Sequence, residues 1–146
     1  GFSVAIARCF AFVGKYLPRD QHFAIGNFMR DALNGDEIRV TTQSLVYRSY
    51  MYADELVEWL MTIMEASSKN CPVYNVGSNI PIEVRELARK IGALLNTCVR
   101  YSEPTNESID HYTPAIKKAK MELGLELSIS LDLAIKLTIE NILSSK

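Results

Sequence analysis

Val4-Ala5-Ile6-Ala7-Arg8-Cys9-Phe10-Ala11-Phe12 is a nearly continuous apolar run of strand length close to the start of the chain. Such runs are typical of strands that lie in the middle of a parallel sheet and are covered on both faces. The run is under way shortly after Gly1, and the first residue is not Met. We therefore expect the chain to be a piece of a longer protein, with neighbouring strands upstream.

Helical and extended segments alternate along the remainder of the chain. Short strands are predicted at residues 38–41, 46–52, 73–76 and 97–101. About five helices are predicted between and after them, at residues 22–33, 54–66, 81–95, 113–124 and 130–142. Strands that alternate with helices indicate an α/β fold.

Local signals define several of these helices. Asn34-Gly35 and Gly124 are expected to end helices, Thr113-Pro114 to begin one, and Ser130 to cap the last. Apolar residues at helical spacing predict the inner faces. For the second helix these are Leu56, Leu60, Ile63 and Met64 with Trp59 beside them, and for the third Val84, Leu87, Ala88, Ile91 and Leu95.

Composition narrows the classes of protein to consider. The 146 residues are 48% hydrophobic and 23% charged, which suits one compact domain that folds without disulfides or metals. The net charge is −1 and the basic residues form no run, so no nucleic-acid partner is expected. No apolar stretch approaches the roughly 20 residues that span a bilayer, so no membrane partner is expected either.

The metal-binding and redox residues are few. Three cysteines cannot all pair, and none has CxxC spacing. Cys9 and Cys98 lie in apolar contexts, where a thiol usually behaves as a small hydrophobe, and the reducing cytoplasm is the expected compartment. Two histidines without partners at ligand spacing predict no metal site.

The sequence shows no set of residues that would catalyse a reaction. The glycines are scattered, so neither a phosphate-binding loop nor a dinucleotide fingerprint is present. The carboxylate pairs Asp36-Glu37 and Asp54-Glu55 stand at helix ends, where capping or solvation is more common than acid/base chemistry. We therefore predict no catalytic residue in this chain.

Three positions are candidates for binding. Arg48, in an apolar and aromatic strand, could hold a phosphate with two parallel hydrogen bonds or pair with a neighbouring carboxylate, and both interpretations stay open. Asn75, at a strand end, could fix a turn or bind a ligand hydroxyl, and the turn is the more common role. His111 precedes a predicted helix start, a place that attracts anions, although a single histidine there is more often structural.

Several segments, in this order, resemble the C-terminal part of the extended short-chain dehydrogenase/reductase family. Within that family they are similar to NAD-dependent nucleotide-sugar epimerases and dehydratases. The matching segments are Arg8–Gly14 (family R-x-x-N-x-Y-G), Phe28–Gly35 (a helix ending in A-L-x-G), Arg48–Leu56 (R-D-F-V-Y-V-D-D-L), Tyr74–Ser78 (Y-N-V-G-S), Arg85–Ala88, Tyr112–Pro114 and Glu122–Leu125.

The resemblance implies a division of labour with an upstream half. In the family, an N-terminal Rossmann domain holds NAD and supplies a Tyr-x-x-x-Lys pair for proton transfer. Neither that pair nor the glycine fingerprint occurs here. Residues 1–146 would then form one substrate-binding fragment without the Rossmann half. Residues 1–14 would be the last portion of the Rossmann sheet, and residues 15–146 the substrate-binding subdomain.

The resemblance also implies roles for individual residues. Arg48 would bind the diphosphate of a nucleoside diphosphate sugar, and Asn75 would lie near the nucleotide. The backbone at Phe23 and Ala24 would approach the nucleotide, and His111 would take an Arg-like position. Cys9 and Phe10 would line the floor near the nicotinamide of NAD, a cofactor held mainly by the upstream domain. Full-length members often form homodimers through helices of that upstream half.

Departures from the family pattern leave alternatives open. Ala11 and Val13 replace a family Asn and Tyr, Thr42-Gln43-Ser44 replaces Gly-Asp-Gly, and residues 105–111 lack an expected Arg. The Arg8-Cys9 strand start favours a 4,6-dehydratase, while a 4-epimerase, reductase or decarboxylase shares the same region. The lost contacts would also fit a non-catalytic binding or scaffolding module. A helical interaction domain without a ligand is the last alternative.

Overall fold

The computed structural model describes residues 1–21, 23–103 and 108–144, which form an α/β structure of nine strands and five helices. The strands are β1 (Ile6–Cys9), β2 (Phe12–Val13), β3 (Ile38–Val40), β4 (Leu45–Arg48), β5 (Met51–Tyr52), β6 (Val73–Val76), β7 (Ile82–Glu83), β8 (Val99–Tyr101) and β9 (Ile109–Tyr112). The helices are α1 (Ala24–Leu33), α2 (Ala53–Glu65), α3 (Val84–Leu95), α4 (Lys117–Leu123) and α5 (Leu131–Leu143). The predicted fold class is confirmed, although the predicted start of the first helix at His22 lies outside the described residues.

The strands form small sheets with mostly parallel pairing. β1 pairs with β6, β2 with β5 and β3 with β8, all in parallel. A further sheet has the order β7-β4-β9, in which β4 is antiparallel to β7 and parallel to β9. Parallel pairing of strands that are far apart in sequence is typical of α/β folds.

Two predicted strands are each divided in the structure. The Phe10 amide still donates to Val76 of β6, whereas the Ala11 carbonyl accepts from Met51 of β5. The chain therefore changes its pairing partner between residues 10 and 11, and the predicted strand 4–12 becomes β1 and β2. The predicted strand 46–52 is divided in the same way at Ser49, into β4 and β5.

The first strand is less covered than its apolar sequence predicts. Among the described strands, β1 pairs only with β6, and its Ile6 is 44% exposed. Cys9 at its end is exposed, as is Cys98, so the expectation that these thiols are buried hydrophobes is wrong. Pairing on one edge alone leaves the other edge of β1 open to a further strand.

Two clusters of buried side chains form the core. The larger one joins α1, α3 and α5 to β3 through Ile25, Met29, Ile38, Leu87 and Ile135. The predicted inner face of α3 is confirmed, except that Leu95 is only partly buried. The smaller cluster surrounds Trp59 of α2 and includes residues of β5, β6 and α4.

The outer face of α2 is apolar and exposed. The helix is buried along Glu55, Trp59 and Ile63, so its inner face is centred on Trp59. The prediction that Leu60 and Met64 point inward is therefore wrong, since both are exposed. Together with Val57 and Met61 they form an exposed stripe at the spacing i, i+3, i+4, i+7.

The helix ends follow the predicted signals at three of four places. Gly35 and Gly124 have the positive φ angles that favour glycine after a helix, and the Ser130 side chain accepts from the Leu133 amide. The prediction at Thr113 is wrong, because α4 begins only at Lys117. Pairing of β9 with β4 keeps the chain extended as far as Tyr112, which delays the helix.

Gly92 lies where α3 packs most closely on the segment leading into β8. A Cβ at this position would be 2.6 Å from Cγ2 of Val99 and 2.8 Å from the Thr97 carbonyl oxygen. We expect Gly92→Val to destabilise the protein by about 2–3 kcal/mol, because backbone would have to move. The melting temperature measured by thermal unfolding checks this. Ala93→Val is the control, because Ala93 is exposed and the substitution should cost only about 0.5 kcal/mol of helix propensity. Equal melting temperatures for both variants would contradict it.

Candidate functional site

Arg48 stands at the end of β4 beside β9. In the register of this parallel pair, Arg48 lies opposite Tyr112 and Val46 lies opposite Asp110. Because side chains alternate between the two faces of a strand, Arg48, Asp110 and Tyr112 share one face. Val46 on that face packs against the larger core cluster, so this is the inner face of the sheet.

The Arg48 guanidinium binds acceptors on its own strand and on β9. Nη2 lies 2.6 Å from Oδ2 of Asp110, and Nη1 donates to the Tyr47 carbonyl oxygen at 2.8 Å. The structure thus shows the carboxylate pairing that was one of the two interpretations of Arg48. The side chain of Arg48 is 28% exposed and that of Asp110 is 55% exposed, so solvent reaches the pair.

Tyr112 connects Arg48 with the end of β1. The Arg48 guanidinium carbon lies 6.0 Å from the centre of the Tyr112 ring, within the range of a cation–π contact. The same ring stacks on Phe10 with ring centres 4.7 Å apart. Arg48 and Phe10, predicted to bind different ligands, therefore both lie close to one aromatic ring.

Gly77 allows this close approach between the carboxyl ends of the strands. A Cβ at Gly77 would lie 3.2 Å from Cβ of Phe10 and 3.1 Å from Cγ of Pro114. Both distances are tighter than ordinary contacts, so a larger residue would push Phe10 or Pro114 away. The glycine of the predicted Asn75-Val76-Gly77 turn thus sets the spacing of the site.

Asn75 supports the segment that follows β9. Its Nδ2 donates to the Ala115 carbonyl oxygen at 3.0 Å. This bond ties β6 to the chain directly after Tyr112 and Pro114. The structure therefore brings Asn75, Phe10 and Arg48 around one segment, residues 110–115, with Asn75 in a supporting position.

His111 lies on the other face of the sheet. Its ring packs on Tyr47, with ring centres 5.7 Å apart, whereas Arg48 and Tyr112 lie on the opposite face, which carries Val46. The expectation that His111 precedes a helix start is wrong, because the residue lies within β9. His111, predicted to take an Arg-like position, is thus on the face of the sheet opposite the Arg48 side chain. The part of the predicted loop at residues 105–107 lies outside the described residues.

Phe23 and Ala24 line a different region. Phe23 is the half-exposed N-cap residue of α1, and Ala24 opens onto a cleft of about 360 Å³ between α1 and the end of β3. That cleft is also lined by Asn27, Phe28, Arg30, Asp31, Arg39, Val40, Thr41, Thr42 and Val84. Cys9, by contrast, directly precedes Phe10 at the exposed end of β1.

Tyr50 is an ionisable group whose pKa is influenced by Arg48. Burial raises the pKa of Tyr50 to about 12, an effect that the positive charge of Arg48 partly opposes. Tyr50 is therefore protonated at neutral pH.

In residues 1–21, 23–103 and 108–144, no three His, Cys, Asp or Glu side chains are grouped so that they could hold a metal ion. No helix among them is long and apolar enough to cross a membrane.

Glu55 is a buried carboxylate with a structural role. Its Oε1 accepts from the Ser128 amide, the Ser128 hydroxyl and the Ile129 amide, at 2.5–3.0 Å. These bonds fasten the start of α2 to the chain that leads into α5. The expectation of capping or solvation is therefore wrong for Glu55, which is buried and binds the chain ahead of α5.

Sequence reasoning missed Asp110 and Tyr112 as residues of this site. Both were assigned to a loop or a helix start, because Ile109-Asp110-His111-Tyr112 lacks the apolar alternation of a half-buried strand. Recognition of β9 would have placed Asp110 and Tyr112 on the same face by their spacing of two.

Comparison with known proteins gives a family and curated relatives. The model of the NAD dependent epimerase/dehydratase family matches residues 1–77. UDP-glucuronic acid decarboxylase 5 of Arabidopsis thaliana is 30% identical over 133 residues. The match covers 90% of this chain and 38% of that relative, so the chain spans well under half of the relative's length.

Solved structures share the fold at lower sequence identity. UDP-glucose 4-epimerase of Thermotoga maritima, crystallised with UDP-glucose, superposes with a TM-score of 0.85 and 22% identity, covering 99% of this chain and 47% of that chain. UDP-glucose 4-epimerase of Thermus thermophilus, in complex with NAD, gives a TM-score of 0.83 and 16% identity, covering 100% of this chain and 48% of that chain. The fold of this chain is therefore that of about half of such an epimerase.

Proposed function

The chain belongs to the NAD dependent epimerase/dehydratase family, and on that premise we propose that it binds the nucleoside diphosphate of a sugar substrate. Arg48 holds the diphosphate, and the chemistry is completed by a nucleotide-binding half of the same enzyme. The observation that carries this proposal is the contact series from Arg48 through Tyr112 to Phe10. It brings an anion-binding guanidinium next to the strand end that would face the cofactor.

The exposure of Arg48 supports a role in binding. A guanidinium offers five N–H donors in a plane and matches the oxygens of a phosphate with two parallel bonds. In the structure the Arg48 guanidinium lies within cation–π range of the Tyr112 ring while solvent reaches the group. A ring that orients the guanidinium reduces the entropy lost when a ligand binds.

Two open surfaces support the proposed division of the enzyme. The edge of β1 that no described strand covers can accept a parallel strand, and the apolar stripe on α2 can pack against a further helix. In this proposal residues 1–14 extend the sheet of a Rossmann domain, and residues 15–146 form the substrate-binding subdomain. The pairing of β6 with β1 adds residues 73–76 to that sheet.

This chain offers residues for the nicotinamide end of NAD but none for its pyrophosphate. Cys9 and Phe10 stand at the carboxyl end of a parallel strand, where α/β sheets place their ligands, and would contact the nicotinamide. The sequence has no glycine-rich loop for the pyrophosphate of NAD, which the other half would have to provide. When bound, NAD supplies hydride acceptance and return, while residues of this chain position the substrate beside it.

The remaining predicted contacts divide between two places. Ala24 lines the cleft beside α1, and Phe23 directly precedes it in the chain. The size of this cleft suits the base and ribose of a nucleotide. Asn75 acts on the nucleotide through the segment that it supports, by its bond to Ala115. His111, on the outer face with Tyr47, would reach only a part of the ligand that extends past the sheet edge.

The curated relatives bear on which reaction of the family the complete enzyme catalyses. The Arg8-Cys9 strand start favours a 4,6-dehydratase, but the curated relative with 30% identity is a UDP-glucuronic acid decarboxylase. A decarboxylase is therefore the second candidate. The helical interaction domain is excluded by the α/β fold. The remaining alternative is a non-catalytic binding module of the same family. The reading frame upstream of Gly1 distinguishes it from an enzyme, because an enzyme should encode a glycine fingerprint and Tyr-x-x-x-Lys there.

Two measurements test the proposed function together. The full-length protein is expected to melt at a higher temperature with nucleoside diphosphate sugars than with the corresponding free sugars, because ligands that bind the folded state stabilise it. The isolated chain of residues 1–146 is expected to convert none of them to product in the presence of NAD, because it lacks the catalytic pair. No stabilisation across UDP-, dTDP-, GDP- and CDP-sugars would refute the binding role, and turnover by the isolated chain would refute the division.

A further inference from the structure

The Arg48 site already contains an anion that belongs to the protein. Oδ2 of Asp110 lies 2.6 Å from Nη2 of Arg48, and the Asp110 carbonyl oxygen lies 3.4 Å from Nη1. Asp110 thus occupies donors on the guanidinium that a phosphate would need. A carboxylate and a phosphate oxygen bind a guanidinium in the same way, so the two compete for Arg48.

Asp110 is ionised when it makes this contact. The hydrogen bond from Arg48, opposed by partial burial and aided by the charges of Arg48 and His111, holds the pKa of Asp110 below its usual value. A diphosphate that approached Arg48 would therefore meet a negative charge at hydrogen-bond distance from its own site. Like charges at such distances repel each other.

The contact is also able to open. Asp110 is more than half exposed and lies near the beginning of β9, at a strand edge, so its side chain can turn into solvent without disturbing the core. Ion pairs exposed to this degree contribute little to stability. Asp110 lowers the positive charge near Arg48, and none of the described residues 108–111 is an arginine that would restore it.

We propose that Asp110 sets the affinity of the Arg48 site by acting as an internal competitor, which the diphosphate of the substrate must displace. Asp110 is thus an affinity-setting residue: it imposes the same penalty on every anion that binds Arg48, so only ligands whose nucleoside and sugar contribute further contacts bind tightly. This inference rests on the proposed function of Arg48.

The test is calorimetric titration of the full-length protein with UDP-glucose, inorganic pyrophosphate and uridine. We expect Asp110→Asn to tighten the binding of UDP-glucose and pyrophosphate by about fivefold, the scale of one exposed ion pair together with lost repulsion. Uridine, which has no phosphate, should bind equally to both proteins. Asp132→Asn is the matched control, because Asp132 forms an exposed ion pair with Lys90 at 2.8 Å on another part of the fold.

The double variant Arg48→Ala/Asp110→Asn separates competition from a structural effect. It should bind UDP-glucose no more tightly than Arg48→Ala alone, because the gain acts through Arg48. If UDP-glucose binds the wild type but Asp110→Asn binds it equally or more weakly, the competitor role is wrong and the function of Arg48 stands. If Arg48→Ala leaves the binding of UDP-glucose unchanged, the proposed function fails and the competitor role fails with it.

Discussion

Replacing Arg48 with alanine is expected to weaken binding of a nucleoside diphosphate sugar to the full-length protein by about 1.5–3 kcal/mol, the usual worth of hydrogen bonds to a charged group. The dissociation constant should rise by roughly 10- to 150-fold. The physical reason is that the guanidinium, resting on Tyr112, would direct parallel N–H bonds at the diphosphate. Titration calorimetry with UDP-glucose measures the change directly.

A matched control distinguishes this role from a general loss of positive charge. Arg89→Ala removes an exposed arginine that pairs with Glu86 on the surface of α3. Its affinity for UDP-glucose should stay within a factor of about two of the wild type, because an exposed arginine in a surface ion pair contributes little. Unchanged affinity in Arg48→Ala, or equal losses in both variants, would show that Arg48 does not bind the diphosphate.

The second large effect concerns stability rather than binding. Glu55→Ala is expected to destabilise the protein by about 3 kcal/mol, because three donors on Ser128 and Ile129 lose their acceptor. The loss would loosen the junction between α2 and α5. Urea unfolding followed by circular dichroism gives the free energy of unfolding for comparison with the wild type.

Two further variants make the assignment specific. Glu58→Ala removes an exposed carboxylate from the same helix and should change the free energy of unfolding by less than about 0.5 kcal/mol. Glu55→Gln keeps a carbonyl oxygen that can accept these bonds, and should lose less stability than Glu55→Ala. If Glu55→Ala and Glu58→Ala unfold at the same urea concentration, the buried bonds of Glu55 do not fasten α2 to α5.

Much of the helical structure could be predicted from local sequence. The inner face of α3 follows from apolar residues at helical spacing, and the ends of α1, α4 and α5 follow from Gly35, Gly124 and Ser130. These signals act within a few residues of chain. These three helix ends therefore depend little on the rest of the fold, unlike the start of α4, which the pairing of β9 with β4 delays.

The errors arise where distant segments determine local structure. The break between β1 and β2 exists because residues 10 and 11 bond to different strands, β6 and β5. The inner face of α2 depends on where Trp59 meets β5, β6 and α4. Neither arrangement has a signature within the segment itself, so periodicity alone could not reveal it.

The site was predictable in its central residue and not in its surroundings. Arg48 could be identified from its apolar strand and from a family motif, whereas Asp110 is 62 residues away in sequence. The side of the sheet that His111 faces depends on the strand β9, which its polar sequence conceals. Long-range pairing thus decides which of the neighbouring side chains reaches Arg48.

A crystal structure of the full-length protein with a bound UDP-sugar tests the binding role of Arg48 most directly. We predict that oxygens of the diphosphate lie about 2.7–2.9 Å from the Arg48 guanidinium nitrogens, with the Asp110 carboxylate turned away and Phe10 facing NAD. A ligand whose diphosphate lies elsewhere, with Arg48 still bound to Asp110, would contradict it.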